Sequence, residues 1–174
     1  TGKKDFNIVK TYYGIDIQLM VYMEAAMKLV AKMRPGKNVI PAGVFYYNIS
    51  DPIVSATTES AEEIEDKIKG ELRLKGMVNS DKDIAEKMDN TEGTSLNIPV
   101  SRKADGGFDS RRSKVMNTEQ FNMLGRFVDV RAVDTADRIA GGDIRRSPYK
   151  DGQFSSCDRC PYGAVCGFSV DLPG

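Results

Sequence analysis

Histidine is absent from this chain of 174 residues. Its absence excludes Ser–His–Asp and Cys–His catalysis, zinc sites with two histidine ligands, and an imidazole base. Neither sign of charge dominates, because Lys and Arg number 25 and Asp and Glu also number 25. This balance excludes a histone-like protein but leaves room for local basic patches. No apolar run approaches the roughly 20 residues that a membrane-spanning helix needs. Any chemistry must therefore depend on carboxylates, Lys, Tyr, Cys or a bound metal.

Cysteine is scarce, and the 3 cysteines all lie near the end of the chain. An odd number so closely grouped does not make a disulfide framework, which favours a reducing, cytoplasmic compartment. The chain opens Thr1-Gly2-Lys3-Lys4 without an initiator Met or a signal peptide, so we expect that it begins inside a longer protein. Hydrophobic residues make up 40% and charged residues 29%, which is typical of one globular domain with its own core.

Periodicity and capping signals predict helices at residues 16–33, 80–88 and 118–140, and acidic residues that precede basic ones predict a helix at residues 60–75. Ser80 and Thr118 are the expected N-caps of the helices that they begin, and Gly141-Gly142 is expected to end the helix at residues 118–140. The β-branched and aromatic run 39–49, which Asp51-Pro52 ends, predicts a strand covered on both faces. A short strand at residues 96–100 and a hairpin-like turn at residues 105–107 are also compatible with the sequence. These elements indicate an α/β fold.

The strongest local motif is the C-x2-C-x5-C spacing of Cys157, Cys160 and Cys166. Two cysteines separated by two residues can both face one metal, and a third can follow after a short loop. Zinc and iron–sulfur sites usually need four such ligands, and this chain has no fourth Cys and no His. Spacing alone does not separate zinc from an iron–sulfur cluster, and three unrelated thiols remain the alternative.

Gln18 and Tyr22 are four residues apart, so they project from one face of the first long helix. On helical periodicity alone, a Tyr in such a stripe is more often a core residue than a functional one.

Two segments are locally basic, and each could contact DNA phosphates without regard to sequence. Exposed Lys and Arg on a neutral protein also serve solubility alone, and this alternative stays open. The candidate DNA-binding residues are Arg102, Lys103, Arg111, Arg112, Arg145 and Arg146.

Taken together, these features resemble the C-terminal region of the AddB/RexB-type subunit of the bacterial AddAB helicase–nuclease. The resemblance rests on residues 1–7, on Tyr12-Tyr13-Gly14 followed by Gln18 and Tyr22, on residues 41–47 with Asp51-Pro52, and on the cysteines. It implies a partial restriction-endonuclease-like core, with helices packed on a small mixed sheet, over residues 1–150. It also implies an irregular, cysteine-bearing tail over residues 151–174.

The resemblance also implies roles for individual residues. Gln18 and Tyr22 would form the auxiliary motif of a RecB-like PD-(D/E)xK nuclease, and Cys157, Cys160 and Cys166 would be three of the four ligands of a [4Fe–4S] cluster. In such nucleases the Asp and Lys of an Asp-Tyr-Lys triplet lie immediately before a pair like Thr1-Gly2. Those residues, a further acidic ligand and the first cluster Cys have no counterpart here.

We therefore expect the complete protein to hydrolyse phosphodiester bonds with Mg²⁺ in double-strand break repair and recombination. Its expected partners are DNA, as duplex ends or single strands, and a helicase/nuclease subunit of the AddA type. The chain alone is expected to be inactive and to hold neither Mg²⁺ nor the cluster. The alternative is a non-catalytic module that is stabilised by a bound metal and binds DNA or protein.

Overall fold

The centre of the computed structural model is a small mixed sheet with strand order β1–β2–β3. The structure describes residues 4–49, 52–54, 60–152 and 154–168. Strand β1 (Gly43–Tyr46) runs antiparallel to β2 (Lys75–Asn79), and β2 runs parallel to β3 (Val115–Met116). Thr1, Gly2, Lys3 and Asp51 lie outside the described residues.

Helices surround this sheet, and the chain divides into two compact units, Thr1–Arg131 and Ala132–Gly174. The helices are α1 (Ile8–Tyr12), α2 (Gln18–Met33), α3 (Ala61–Leu72), α4 (Lys82–Met88) and α5 (Thr118–Ala140). In the described residues of the chain, no helix is both long and apolar enough to cross a membrane.

The second unit contains the end of α5, the cysteines and, among its other described residues, only short elements. They are β4 (Lys150–Asp151) paired antiparallel with β5 (Phe154–Ser155), a 3₁₀ turn (Ser156–Arg159) and α6 (Gly163–Cys166). No side chain described between residues 132 and 168 is buried.

Two clusters of buried side chains cover the two faces of the mixed sheet. Successive strand residues point to opposite faces, and Val44 and Met116 belong to one cluster whereas Phe45 and Val115 pack against the other. Strand β1 is therefore covered on both faces, as its apolar sequence predicted. The larger cluster contains Phe6, Met20, Met23, Val44, Met116, Phe121 and Val128. The smaller contains Val78, Ala85, Ile98 and Val100.

The predicted strand 39–49 is wrong in extent, because regular pairing is confined to β1. Its first part is an extended entry that Asn79 holds in place. The Asn79 side-chain amide donates to the Pro41 carbonyl at 2.7 Å, and the Asn79 backbone N–H donates to Ala42 at 2.8 Å. The short strand expected at residues 96–100 is also absent from the described structure. There the Ser95 hydroxyl oxygen accepts hydrogen bonds from the backbone N–H groups of residues 97 and 98, which form a turn.

Strand β2 is the element that the sequence did not predict. Lys75 was assigned to the end of a helix, but α3 ends at Leu72 and Lys75 begins the central strand. Gly76 explains part of this placement, since a Cβ built on it would lie 1.9 Å from the Val44 carbonyl oxygen. The close approach of the two strand backbones therefore requires Gly at this position.

Both predicted N-caps are wrong, and α3 has a cap that the sequence analysis did not predict. Ser60 and Glu63 form a capping box at the start of α3. Helix α4, in contrast, is capped by Asp81 rather than Ser80, because the Asp81 carboxylate accepts from the N–H groups of Asp83 and Ile84.

At α5 the cap is Asn117 rather than Thr118. The Asn117 and Gln120 side chains exchange hydrogen bonds with each other's backbone N–H groups, at 2.7 and 2.9 Å. The Thr118 hydroxyl instead accepts from the Asn79 amide at 2.9 Å. The glycine stop is confirmed, with Gly142 at φ +74°.

Candidate functional site

Gln18 and Tyr22 form a hydrogen-bonded pair on the solvent side of α2. The Gln18 side-chain amide donates to the Tyr22 hydroxyl oxygen at 2.8 Å. Tyr22 is 61% exposed, whereas Met20 and Met23 of the same helix are buried in the core. The shared helix face is thus confirmed, and Tyr22 is not the core residue that periodicity alone favours. The catalytic role of the pair stays a prediction.

Tyr22 lies at one side of an apolar groove of about 460 Å³ between α2 and residues 39–44. Leu19, Met27 and Val30 line the helix side of this groove. Strand β1, which begins within residues 39–44, has one edge that no described strand pairs. An exposed amide–hydroxyl pair therefore stands beside an open, largely apolar concavity.

Tyr46, at the end of β1, carries a buried hydroxyl with no hydrogen-bond partner among the described residues. Burial raises the pKa of Tyr46, and the nearby Asp16 carboxylate raises it further. The Lys4 ammonium lies 5.5 Å from the centroid of its ring. The hydroxyl therefore remains protonated at neutral pH and available as a donor. Sequence reasoning had no signal for this, because Tyr46 and Tyr47 are equivalent in the strand pattern.

Three of the six basic candidates use their side chains for hydrogen bonds inside the protein. Arg102 donates to the backbone carbonyls of Asp89 and Thr91. Arg145 binds the Asp143 carboxylate through two nitrogens, and Arg146 donates to the carbonyl of Cys166 at 3.1 Å. These contacts give the three arginines a structural role.

The other three candidates, Lys103, Arg111 and Arg112, are exposed. Of these, Arg112 lines a cleft of about 280 Å³, called here the basic cleft. Its lining residues are Lys4, Asp5, Asn48, Arg73, Leu74, Lys75, Pro99, Arg112 and Lys114. DNA contact by any of the six candidates stays a prediction.

Asp89 is the most strongly perturbed carboxyl in the first unit. Burial alone would raise its pKa, but hydrogen bonds hold the pKa well below the ordinary range. Ser95 and Asn97 donate to one oxygen at 2.7 and 3.0 Å, and the Thr91 N–H donates to the other at 2.8 Å. Because its oxygens are already occupied by donors, this carboxylate organises the loop and is not positioned to bind a metal.

The cysteines lie in two short turns. The Cys157 N–H donates to the Ser155 hydroxyl, and the Cys160 N–H closes a turn on the Cys157 carbonyl at 3.1 Å. The Cys166 N–H donates to the Tyr162 carbonyl at 2.8 Å. All three are free thiols, with Cys157 and Cys160 exposed.

Across the described residues, no three His, Cys, Asp or Glu side chains converge on a common point as a metal site requires. The cysteines supply three donors where a closed cluster or structural zinc site needs four. The described residues therefore fit neither a closed thiolate site nor a carboxylate site for Mg²⁺.

A family model of the PD-(D/E)XK nuclease superfamily matches residues 1–167. The chain belongs to this superfamily. The predicted fold class is confirmed with it, since the superfamily's fold is present here as helices packed on a small mixed sheet.

Curated relatives of this chain share about a third of its residues, and each is named as one subunit of an ATP-dependent helicase/deoxyribonuclease. The chain is 37% identical over 176 aligned positions to the relative from Clostridium botulinum strain Hall. It is 35% identical to the relative of the same name from Thermoanaerobacter sp. strain X514, and 34% identical to that from Clostridium kluyveri. Each alignment covers 100% of this chain and 15% of the relative, so the chain spans about 15% of the relatives' length.

Proposed function

We propose that this chain is the nuclease region of a DNA-end-processing protein that acts in double-strand break repair and recombination. Two findings support the proposal. The chain belongs to a nuclease superfamily, and its relatives are named as a subunit of an ATP-dependent helicase/deoxyribonuclease. The reaction is Mg²⁺-dependent hydrolysis of DNA phosphodiester bonds in the cytoplasm. A helicase/nuclease subunit of the AddA type is the proposed partner.

The observation that carries the proposal is the exposed Gln18–Tyr22 pair. Because the Gln18 amide nitrogen donates to the Tyr22 oxygen, the Tyr22 O–H is left to donate outward, and the Gln18 carbonyl oxygen is left to accept. The pair thus presents one donor and one acceptor at fixed separation beside the groove. A donor of this kind suits a phosphate oxygen, and an acceptor suits the water that attacks phosphorus.

Neither residue can replace a metal ligand or a catalytic base. Since no three acidic or thiol side chains converge within the described ranges, we expect no hydrolysis by the 174-residue chain alone. We infer that Cys157, Cys160 and Cys166 ligate a [4Fe–4S] cluster only when a fourth ligand comes from outside the described residues.

The test compares two proteins on linear duplex DNA with Mg²⁺ and ATP. The first is the 174-residue chain, which we expect to be inactive. The second is the complete product of the gene with its partner subunit, as wild type, Gln18→Ala and Tyr22→Phe. Its control variant is Tyr47→Phe, at an exposed tyrosine that does not line the groove. Loss of one hydrogen bond to a charged group corresponds to a roughly ten- to hundred-fold lower cleavage rate for the two α2 variants. The control should match wild type.

Iron, sulfide and visible absorbance are measured on the same preparations. We expect the cluster in the complete protein and not in the chain alone. If both α2 variants cleave DNA at the wild-type rate, the proposed role of Gln18 and Tyr22 is wrong. Absence of any cleavage by the complete protein would instead favour a non-catalytic binding module. Metal-dependent cleavage by the chain alone, lost in Gln18→Ala, would show that it holds its own active site.

A further inference from the structure

The basic cleft and the groove beside Tyr22 lie at opposite ends of β1. The groove is lined by residues that precede and begin β1, whereas the cleft is lined by Asn48, after its end, and by Lys75, the partner of Tyr46. The cleft is therefore a separate site, and its residues come from four segments: the N-terminal segment, the residues after β1, the start of β2 and the loop before β3.

The charge of the cleft departs sharply from that of the chain. Five cationic residues line it (Lys4, Arg73, Lys75, Arg112 and Lys114), against Asp5 as the one carboxylate in the lining. The chain as a whole has a formal net charge of zero, so this surplus is local. Asp5 lies 2.6 Å from the Lys114 ammonium and neutralises that one cation.

The backbone around the cleft is held in place by hydrogen bonds. The Arg73 guanidinium donates to the carbonyls of Ile98 and Val100 at 2.8 and 3.0 Å. The Lys114 N–H donates to the Pro99 carbonyl at 2.8 Å, and the Lys114 carbonyl accepts from Val78 at 3.0 Å. The loop and β2 are therefore fixed relative to each other before any ligand arrives.

Lys4 lies over the Tyr46 ring, which leaves two cations in this fixed frame available to a ligand. Within the described part of the chain, Lys75 and Arg112 have no carboxylate partner, unlike Lys114. Arg112 is exposed, and Lys75 is half-buried at the start of β2. A volume of about 280 Å³ exceeds what one phosphate group occupies and leaves room for the adjoining sugar. Cations contributed by separate segments suit a ligand that carries several phosphates along its length.

We propose that the basic cleft binds a backbone phosphate of a DNA strand, with Lys75 and Arg112 as its direct ligands. This inference deepens the proposed function and rests on it, since DNA is the substrate proposed there. Contacts of this kind position a strand without reading its sequence. Arg111, the neighbour of Arg112, does not line the cleft and is assigned no such contact.

The test is binding of a fluorescein-labelled single-stranded oligonucleotide to the 174-residue chain, followed by anisotropy over a series of KCl concentrations. Arg112→Ala and Lys75→Ala should each weaken binding by about three- to ten-fold and reduce the salt slope by about one. Arg111→Ala is the matched control and should change affinity by less than about two-fold. Asp5→Asn removes the cleft's carboxylate and should strengthen binding, an effect that damage to the fold would not produce.

Equal losses in Arg111→Ala and Arg112→Ala would overturn the inference in favour of diffuse attraction, and so would the absence of DNA binding by the chain. Inorganic phosphate distinguishes a strand site from a free-phosphate site. Displacement of the oligonucleotide by phosphate beyond that caused by KCl of equal ionic strength would assign the cleft to free phosphate. These results are independent of the cleavage test, because binding is measured without Mg²⁺ and with Gln18 and Tyr22 unchanged.

Discussion

The two compact units of this chain are stabilised in different ways. Every side chain buried in the described structure belongs to the first unit, Thr1–Arg131, and none to residues 132–168. In the second unit, large apolar side chains such as Ile144 and Val165 are exposed. Hydrophobic burial therefore shapes the first unit, whereas local hydrogen bonds and turns shape the second.

Local contacts in the second unit are nevertheless numerous. Asp143 accepts from both Arg138 and Arg145 at 2.7 Å, and Ser155 and Asp158 form a capping box on the 3₁₀ turn. Such contacts order a few residues each and bury little apolar surface. The cysteines thus lie in a segment of low intrinsic stability, where a bound metal or cluster would add most to order.

The largest expected difference between the units comes from deleting one apolar side chain in each. Phe121 is fully buried, and Phe121→Ala should lower the free energy of unfolding by about 3–5 kcal/mol. Val165 is 82% exposed, and Val165→Ala should change it by less than about 0.5 kcal/mol. Urea denaturation followed by circular dichroism measures both. Similar losses in the two variants would show that the tail has a core of its own.

Two glycines, one in each unit, differ in the space that an added Cβ atom would have. Gly76→Ala would bring a methyl group to 1.9 Å from the Val44 carbonyl oxygen, so β1 and β2 must move apart. We expect a loss of about 1–3 kcal/mol in unfolding free energy. Gly163, at the start of α6, has no atom within 4 Å of the equivalent position, so Gly163→Ala should be close to neutral. Thermal unfolding compares the pair, and a neutral Gly76→Ala would contradict the strand register described here.

The last comparison involves two carboxylates whose pKa values are both held below the ordinary range. Asp89 is buried among hydrogen-bond donors, whereas Arg145 and Arg138 lower the pKa of Asp143 at the surface. A carboxyl pKa lower in the folded than in the unfolded state stabilises the fold above the unfolded value of about 4. This contribution is lost as the pH falls through the folded value.

Asp89→Asn should therefore destabilise the chain by about 1–3 kcal/mol at neutral pH and flatten the acid limb of its stability profile. Asp143→Asn should leave global unfolding unchanged, with faster amide exchange confined to its surroundings. Urea midpoints at neutral and acid pH, with hydrogen exchange, measure both effects. A larger loss for Asp143→Asn would reverse the assignment of stability to the first unit.

The parts of the fold that were predicted correctly depend on local signals. Helix α2 follows from apolar residues at helical spacing, and α3 follows from acidic residues that precede basic ones along the helix. Strand β2 was missed because its five residues carry no strong strand pattern. Its conformation depends on pairing with β1 and β3, which are distant in the sequence on either side.

The candidate site also has features that the sequence predicted and features that only the structure shows. The spacing of Gln18 and Tyr22 was sufficient to predict a shared helix face, but not that the face is exposed. The sequence offered Arg102 and Arg112 as equivalent candidates. Only the structure distinguishes them, since the Arg102 side chain donates to backbone carbonyls whereas Arg112 lines the basic cleft.

By itself, the sequence determined the absence of imidazole chemistry, the main helices and the thiol spacing, because composition and local periodicity do not depend on distant residues. The tertiary structure decided which charges gather into one cleft. The Lys114–Asp5 pair in the basic cleft joins residues 109 positions apart, and no local pattern encodes such a contact. Long-range packing brings these groups together, and the burial it creates determines which polar side chains stay available to a ligand.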